Sequence, residues 1–130
     1  MIIRIDFDSP VTLYEQLYNS IVEGIIRKEL VEGDTLQPVR KVASDLSINL
    51  HTVNKAYTKL KEDGFLTANR SRGMVVSPPA RYAAGEGSIS LLKAQLRPAV
   101  AQVMARGLSE SDFGIIVCEI RASILRGDIK

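Results

Sequence analysis

The chain has 130 residues, 45% hydrophobic and 25% charged, a composition typical of a soluble globular protein. Its net charge is only +2, no apolar run approaches the ~18 residues of a membrane span, and a single cysteine, Cys118, excludes an internal disulfide. Neither a basic leader nor a small-residue cleavage site is visible at the start, so no secretion signal is expected. These features predict one small domain, or one domain plus a tail, in the reducing cytoplasm.

The first part of the chain predicts a short strand and one long amphipathic helix. Residues 2–6 alternate between apolar and polar types, as a strand does. Ser9 and Pro10 then suit an N-cap and a first helical position. An apolar stripe with a four-residue repeat predicts a helix that ends near Leu30. We interpret this helix as packing support, and its two tyrosines as core or interface residues.

Two shorter helices separated by a polar turn follow. Residues 36–46 have helical periodicity, residues 47–49 are polar, and residues 50–64 form a second periodic segment. This order predicts a helix-turn-helix, whose second helix can enter a DNA major groove. Near the start of the first helix, Arg40 and Lys41 face outward, where the helix dipole favours anions rather than cations. We therefore favour a DNA contact for Arg40, whereas Lys41 suits a DNA contact and a solvated surface position equally well.

The second helix of this pair has two distinct faces. Apolar residues at helical spacing predict its buried side: Val53, Ala56, Tyr57 and Leu60. The opposite side carries polar groups that can hydrogen-bond to base edges: His51, Asn54, Lys55 and Thr58. Thr52 lies beside this face and can donate to a phosphate. Asn49 suits the N-cap; capping alone remains an alternative for Asn49, and simple solvent exposure for His51.

Residues 65–76 predict a small hairpin, a wing beside the second helix. Its tip carries Arg70, Ser71 and Arg72, and Gly73 supplies the backbone freedom of a tight turn. Both arginines are expected to project towards a phosphate or a narrow minor groove, although exposed arginines on turns are common. Charge supports this prediction, since residues 36–76 hold seven basic and three acidic residues, a balance of +4, whereas residues 1–78 hold ten of each.

Several motifs in order resemble the GntR family of bacterial transcription regulators. They are PVTLYEQ from residue 10, GDTL from 33, VRKVA from 39, NLHTVNKAY from 49, LKEDGFL from 60, and Arg72-Gly73. The resemblance implies an N-terminal winged helix and a variable C-terminal part for dimerisation and effector sensing. It places Arg40, Asn49, His51, Thr52, Asn54 and the segment 70–73 at the family's DNA-contacting positions.

Two positions depart from the family pattern. The usual Leu-Pro-Ser-x-Arg reads Leu-Gln-Pro-Val-Arg over residues 36–40, which removes a serine cap. Leu50 replaces a residue that is often polar or basic, so we expect an apolar contact there, for example with a thymine methyl group.

The pair Pro78-Pro79 predicts the boundary between a DNA-binding domain, residues 1–78, and a short tail, residues 79–130. Residues 81–87 are interpreted as a loose linker. A helix follows that Pro98 is expected to kink or break. Gly107 suits its C-cap, and residues 109–112 resemble a capping box for a last helix.

The two tail helices carry more apolar surface than a helical pair can bury by itself. Nine residues are predicted to form a dimer interface: Leu92, Leu96, Val100, Val103, Phe113, Ile116, Val117, Ile120 and Ile124. Packing against the winged helix is the alternative, and a second copy of the chain is favoured. A two-helix tail of this length resembles the YtrA-type subgroup of the GntR family.

The predicted fold is thus mainly α with a β-hairpin wing: a winged helix-turn-helix followed by a C-terminal helical hairpin for dimerisation. The predicted function is that of a cytoplasmic homodimeric repressor that binds a palindromic double-stranded DNA operator. The alternative is a winged-helix protein-protein interaction module without DNA readout.

An enzyme is not expected, because the chain has one histidine, one cysteine that we interpret as buried and inert, and no nucleophile motif. No His/Cys cluster suggests a metal, although a carboxylate site stays open. No cofactor is evident. A small-molecule or ion effector stays undefined, and any effector is expected to act through the linker near residues 78–87.

Overall fold

The computed structural model describes residues 3–128, which form five α-helices, a two-stranded antiparallel hairpin and a short 3-10 helix. Their bounds are α1 Leu13–Ile26, α2 Val39–Leu46, α3 Leu50–Glu62, β1 Leu66–Asn69, β2 Gly73–Val76, the 3-10 helix Pro79–Arg81, α4 Glu86–Ala105 and α5 Glu110–Arg126. The chain divides into two compact units, of which the first ends at Tyr82 and the second begins at Ala83. The predicted class, mainly α with a β-hairpin wing and a helical tail, is confirmed.

An apolar core joins α1, α2, α3 and the hairpin of the first unit. Its buried members are Leu17, Ile21, Leu36, Val42, Val53, Ala56, Tyr57, Leu60, Leu66 and Val76. The four residues that α3 contributes are those that the helical spacing predicted. Because one face of α3 is completely enclosed, its opposite face is held in a fixed orientation.

Helix α1 is shorter than predicted at both ends. Its N-cap is Thr12, whose hydroxyl accepts the backbone N–H of Glu15 at 3.2 Å. Ser9 is therefore not the cap, and its hydroxyl instead closes a turn outside the helix. The helix ends at Ile26 rather than near Leu30, whose side chain packs against the core from the following turn.

A side-chain amide replaces the strand predicted over residues 2–6. Residue 2 lies outside the described part of the chain, and residues 3–6 belong to no helix or strand. The Gln16 side chain accepts the N–H of Asp6 at 2.8 Å and donates to the carbonyl oxygens of Asp6, at 2.9 Å, and Val11, at 2.8 Å. These three bonds tie the N-terminal segment to α1.

The segment before α2 pairs with the hairpin. In the hairpin itself, β1 and β2 are antiparallel with Leu66 opposite Val76. Beside β2, the N–H of Leu36 donates to the carbonyl of Met74 at 2.8 Å, and the N–H of Val76 donates to the carbonyl of Asp34 at 2.9 Å. Leu36 therefore belongs to an extended segment and not to the first motif helix, which starts only at Val39.

The second unit consists of two long helices. Helix α4 begins at Glu86, inside the segment predicted to be a loose linker, and Ser88 accepts the N–H of Gly85 at 2.8 Å across its first turn. It continues to Ala105 through Pro98, so the proline does not break it.

The predicted start of the last helix is confirmed. Ser109 accepts the N–H of Asp112 at 3.1 Å, and the Asp112 carboxylate accepts the N–H of Ser109 at 2.8 Å. The hydrogen bond from that backbone N–H is the main cause that lowers the pKa of Asp112. Gly107 lies between the helices with φ +78°, a left-handed conformation suited to a helix end.

Residues 83–128, all of which the structure describes, include no buried side chain. Cys118 is accordingly exposed, which corrects the prediction of a buried and inert thiol. Across the described helices of both units, none is long and apolar enough to cross a membrane.

Candidate nucleic-acid interface

The exposed face of α3 carries the side chains predicted to read DNA bases. His51, Asn54, Lys55 and Thr58 are exposed, whereas Thr52 and Leu50 are half-buried at the start of the helix. The buried face on the other side fixes which way these groups point. The structure therefore brings all six predicted α3 residues to the solvent-facing side or the leading end of one helix.

A tight turn sets the direction in which α3 leaves α2. Ser47 ends α2 in a left-handed conformation, φ 55°, and the N–H of Ile48 donates to the carbonyl of Ala43 at 3.0 Å. The predicted N-cap at Asn49 is confirmed, because its Oδ1 accepts the N–H of His51 at 2.7 Å. Asn49 remains exposed, so its amide NH₂ is still available to a ligand.

Arg40 and Lys41 occupy the first turn of α2 and are both exposed. The cap before them is Pro38, which offers no side-chain acceptor, as expected from the missing serine. Lys41 forms an ion pair with Asp45 at 3.2 Å, in which both side chains are more than half exposed. A pair so open to water contributes little stability, so Lys41 can exchange Asp45 for a phosphate at small cost.

The tip of the wing is organised by Asn69. Its Oδ1 accepts the backbone N–H groups of Ser71 and Arg72, at 3.0 and 3.1 Å, and the Ser71 hydroxyl at 3.0 Å. Gly73 follows with φ +79°, as the tight turn requires. These bonds leave Arg70 exposed at the tip.

Arg72 does not project from the tip as predicted. Its Nη2 atom donates to the carbonyl of Gly33 at 2.6 Å and to Oγ1 of Thr35 at 3.1 Å. The guanidinium thus joins the wing to the segment that precedes α2. We interpret Arg72 as a residue that fixes the wing, and Arg70 as the arginine that faces outward.

Sequence reasoning missed the surroundings of Lys55. Its ammonium group lies over the ring of Tyr14 in α1, 4.3 Å from the ring centroid, within the range of a cation-π interaction. Tyr14 is half-buried, so it supports the core and the exposed face of α3 at once. The signal available in the sequence was a tyrosine beside an apolar stripe, which does not identify a partner 41 positions away.

The C-terminal end of α3 is bound to α1 by a second polar contact. The Tyr18 hydroxyl donates to the Asp63 carboxylate, and Lys59 forms an ion pair with the same carboxylate at 3.2 Å. Burial, and then the hydrogen bond to Asp63, raise the pKa of Tyr18. The hydrogen bond to Asp63 also raises the pKa of Lys59, which therefore stays a cation. The middle of α3, at Lys55, and its C-terminal end, at Asp63, are thus held against α1.

A helix-turn-helix whose second helix exposes hydrogen-bonding side chains beside an arginine-bearing wing defines a DNA-binding regulator rather than an enzyme. Residues 13–76 match the family described as "Bacterial regulatory proteins, gntR family". The chain belongs to the gntR family.

Known relatives extend the similarity beyond the winged helix. The HTH-type transcriptional repressor YtrA of Bacillus subtilis (strain 168) is 30% identical over 125 residues, 96% of each chain. The structure of YtrA from Sulfolobus acidocaldarius, a GntR-family transcription factor, is 36% identical and has a TM-score of 0.61, covering 78% of this chain and 99% of that one. These similarities confirm the YtrA-type assignment.

A further solved structure shares the whole architecture. A transcriptional antiterminator from Listeria monocytogenes EGD-e has a TM-score of 0.89 and covers 100% of this chain and 97% of its own. At 21% identity this similarity establishes the fold, including the two-helix tail.

Proposed function

We propose that this chain is a cytoplasmic homodimeric repressor that binds a palindromic operator. In this proposal α3 reads bases in the major groove, Arg40 and the wing contact the backbone or the minor groove, and the helical tail dimerises. The observation that carries the proposal is the division of α3 into a fully buried face and an exposed hydrogen-bonding face.

The chemistry of the exposed face favours DNA over a protein partner. Asn54 can pair bidentately with adenine and Lys55 can donate to guanine, while Thr58 can donate or accept. The face presents no carboxylate before Glu62. The surrounding segment has a balance of +4, which suits a phosphate backbone.

The tail supports the dimer. Leu92 and Leu96 in α4 and Ile120 in α5 are 51%, 53% and 54% exposed, and large exposed apolar side chains in this number are typical of an interaction surface. A second copy of the same helices offers a matching surface with two-fold symmetry. The B. subtilis relative named as a repressor is similar over 96% of the chain, tail included.

A two-fold dimer presents two copies of α3 to one face of DNA. Its two half-sites must then be inverted repeats, with centres about one helical turn apart or a multiple of that distance. Occupation of such a site near a promoter excludes polymerase, so repression is the expected outcome.

The test is selection of bound duplexes from a random DNA pool by the intact protein at near-physiological salt. We expect a two-fold symmetric sequence, bound with a steep salt dependence. The triple variant Arg40→Ala/Asn54→Ala/Lys55→Ala should lose roughly 100-fold or more in affinity. The matched control is Lys93→Ala/Gln95→Ala/Arg97→Ala, at three exposed positions of α4. It should bind the selected DNA with wild-type affinity.

Three outcomes would contradict the proposal. The DNA-reading role is excluded if the triple variant binds as tightly as the wild type. If the folded protein enriches no DNA sequence, the chain is a protein interaction module instead. The same conclusion follows if its affinity for a partner does not change with salt concentration.

Dimerisation needs a separate measurement. Sedimentation should show a dimer for the wild type and a monomer for Leu96→Asp/Ile120→Asp, because buried unpaired carboxylates oppose an apolar interface. Gln95→Asp, a charge on an exposed neighbouring position, serves as the control. A monomeric wild type, or a dimeric double variant, would exclude the tail as the interface.

A further inference from the structure

The segment that leaves the wing contacts the rest of the first unit at its start, Ser77, and again at its end, Tyr82. Ser77 is 1% exposed, its N–H donates to the carbonyl of Phe65 at 2.9 Å, and its hydroxyl lies 2.7 Å from that of Thr67. The 3-10 helix Pro79–Arg81 follows, and the N–H of Tyr82 closes it by donating to the carbonyl of Pro79 at 3.2 Å.

Tyr82 and the backbone before it rest on the turn that follows α3. The rings of Phe65 and Tyr82 are stacked, with centroids 4.8 Å apart and planes inclined by 30°. The rings of Tyr18 and Phe65 are nearly perpendicular, with centroids 6.4 Å apart. Gly64 has φ +90°, and a Cβ atom there would lie 2.5 Å from the carbonyl oxygen of Arg81. A glycine is therefore required for this close approach.

The freely connecting segment is consequently very short. Residues 81–87 were predicted to be a loose linker, but Tyr82 is docked and α4 begins at Glu86. Only three residues, Ala83, Ala84 and Gly85, separate the docked ring from the first helix of the tail.

We propose that Gly64, Phe65 and Tyr82 form a linker clamp that determines which half-site spacing the dimer accepts in its operator. This inference rests on the proposed function, since it requires a dimer with two DNA-binding heads. The clamp touches no DNA itself. It acts by limiting how far each head can move from the tail to which it is joined.

The size of the effect follows from chain geometry. Three extended residues span about 10 Å, whereas the seven residues 79–85 span about 24 Å if the clamp opens. The difference, about 14 Å for each head, corresponds to roughly 4 base pairs at 3.4 Å per step. A closed clamp therefore excludes spacings that an open one can reach.

The experiment compares the intact wild type with Tyr82→Ala on duplexes that carry the two selected half-sites at spacings altered by one to four base pairs. For the wild type, we expect roughly a 100-fold loss at an unsuitable spacing, because the second head cannot engage. The affinity of Tyr82→Ala should fall by less than about tenfold at the same spacings, since both winged helices can still reach their half-sites. Both proteins should bind an isolated half-site equally well.

Two controls identify the clamp as the cause. Tyr82→Phe keeps the stacked ring and should keep the strict spacing. Insertion of four flexible residues after Ala84 lengthens the linker directly and should reproduce the tolerance of Tyr82→Ala. Thermal unfolding of each variant verifies that the first unit is folded.

The two proposals fail in different ways. If the wild type enriches no two-fold sequence, the proposed function fails and the spacing role fails with it. If the wild type binds such a sequence but Tyr82→Ala has the same spacing profile, the clamp alone is overturned. NMR order parameters supply a readout without DNA: residues 79–82 should be as rigid as α3, and equal mobility in 79–85 would also overturn the clamp.

Discussion

Replacement of Arg72 by alanine should lower the stability of the first unit, whereas replacement of Arg70 should weaken DNA binding, although the two residues lie at the same wing tip. Arg72→Ala removes two hydrogen bonds of a charged donor, to the Gly33 carbonyl at 2.6 Å and to the Thr35 hydroxyl at 3.1 Å. Such bonds contribute about 1.5–3 kcal/mol when shielded. Because this guanidinium is exposed, we expect about 1 kcal/mol, which lowers Tm by roughly 4–8 °C in a unit of this size.

Arg70→Ala removes a charge that forms no hydrogen bond or ion pair in the described structure, so its Tm should stay within about 1 °C of the wild type. Its effect should appear in DNA binding, where loss of one phosphate contact reduces the slope of log K against log salt by about 0.9. Thr35→Val removes one of the two acceptors of Arg72 and should give part of the Tm decrease.

The assay is thermal unfolding of both variants together with DNA binding at several salt concentrations. If Arg72→Ala leaves Tm unchanged and reduces the salt slope as Arg70→Ala does, the structural role of Arg72 is refuted. Such a result would instead indicate that both arginines contact the DNA.

Three further substitutions test the supports of α3. Gly64→Ala should destabilise the first unit by roughly 2–4 kcal/mol in denaturant titration, because φ +90° and the 2.5 Å approach to the Arg81 carbonyl both oppose a Cβ atom; an unchanged midpoint would contradict this. Tyr57→Phe removes the 2.7 Å bond to the Gln37 carbonyl and should cost about 1 kcal/mol. Burial raises the pKa of Tyr57 to about 12, so its contribution to wild-type stability is complete below pH 10 and lost as the pH rises to 12. Tyr57→Phe should show a smaller alkaline decrease than the wild type, and the part that persists comes from Tyr18, whose pKa is also raised. Asn49→Ala should cost about 1 kcal/mol of stability through the lost cap, with retained helix content by circular dichroism.

The features that the sequence predicted correctly are those that depend on near neighbours. The buried face of α3 follows from the spacing of Val53, Ala56, Tyr57 and Leu60, and the cap at Asn49 involves a bond only two residues long. Periodicity and capping operate within one or two helical turns, so the chain itself displays them.

The features that the sequence did not predict depend on partners distant along the chain. Leu36 has the spacing of a helical residue, but its N–H is used by Met74 of the hairpin. Arg72 resembles any exposed turn arginine, and its acceptors lie at positions 33 and 35. In each case a local pattern admitted two structures, and a long-range hydrogen bond selected one of them.

The start of α1 shows the same competition at short range. Ser9-Pro10 and Thr12 are both acceptable helix starts, and local preference does not separate them. Gln16 distinguishes them, because its side-chain amide forms hydrogen bonds with the backbone of Asp6 and Val11. These bonds hold residues 6–11 outside the helix. A side chain in the first turn of α1 thus stabilises the start at Leu13.

These supports give α3 a rigid placement that matters for recognition. A DNA reader with mobile side chains loses entropy on binding, about 0.5–1.5 kcal/mol for each long side chain that becomes ordered. On α3, Lys55 already rests on Tyr14, and the other candidate base-reading side chains are short. Since the far end of the helix is held by Tyr18 and Asp63, a change in position of α3 requires α1 to move with it. In the proposed dimer, adjustment to different operators therefore requires the whole winged helix to move relative to the tail. The three residues between Tyr82 and α4 limit the range of that movement.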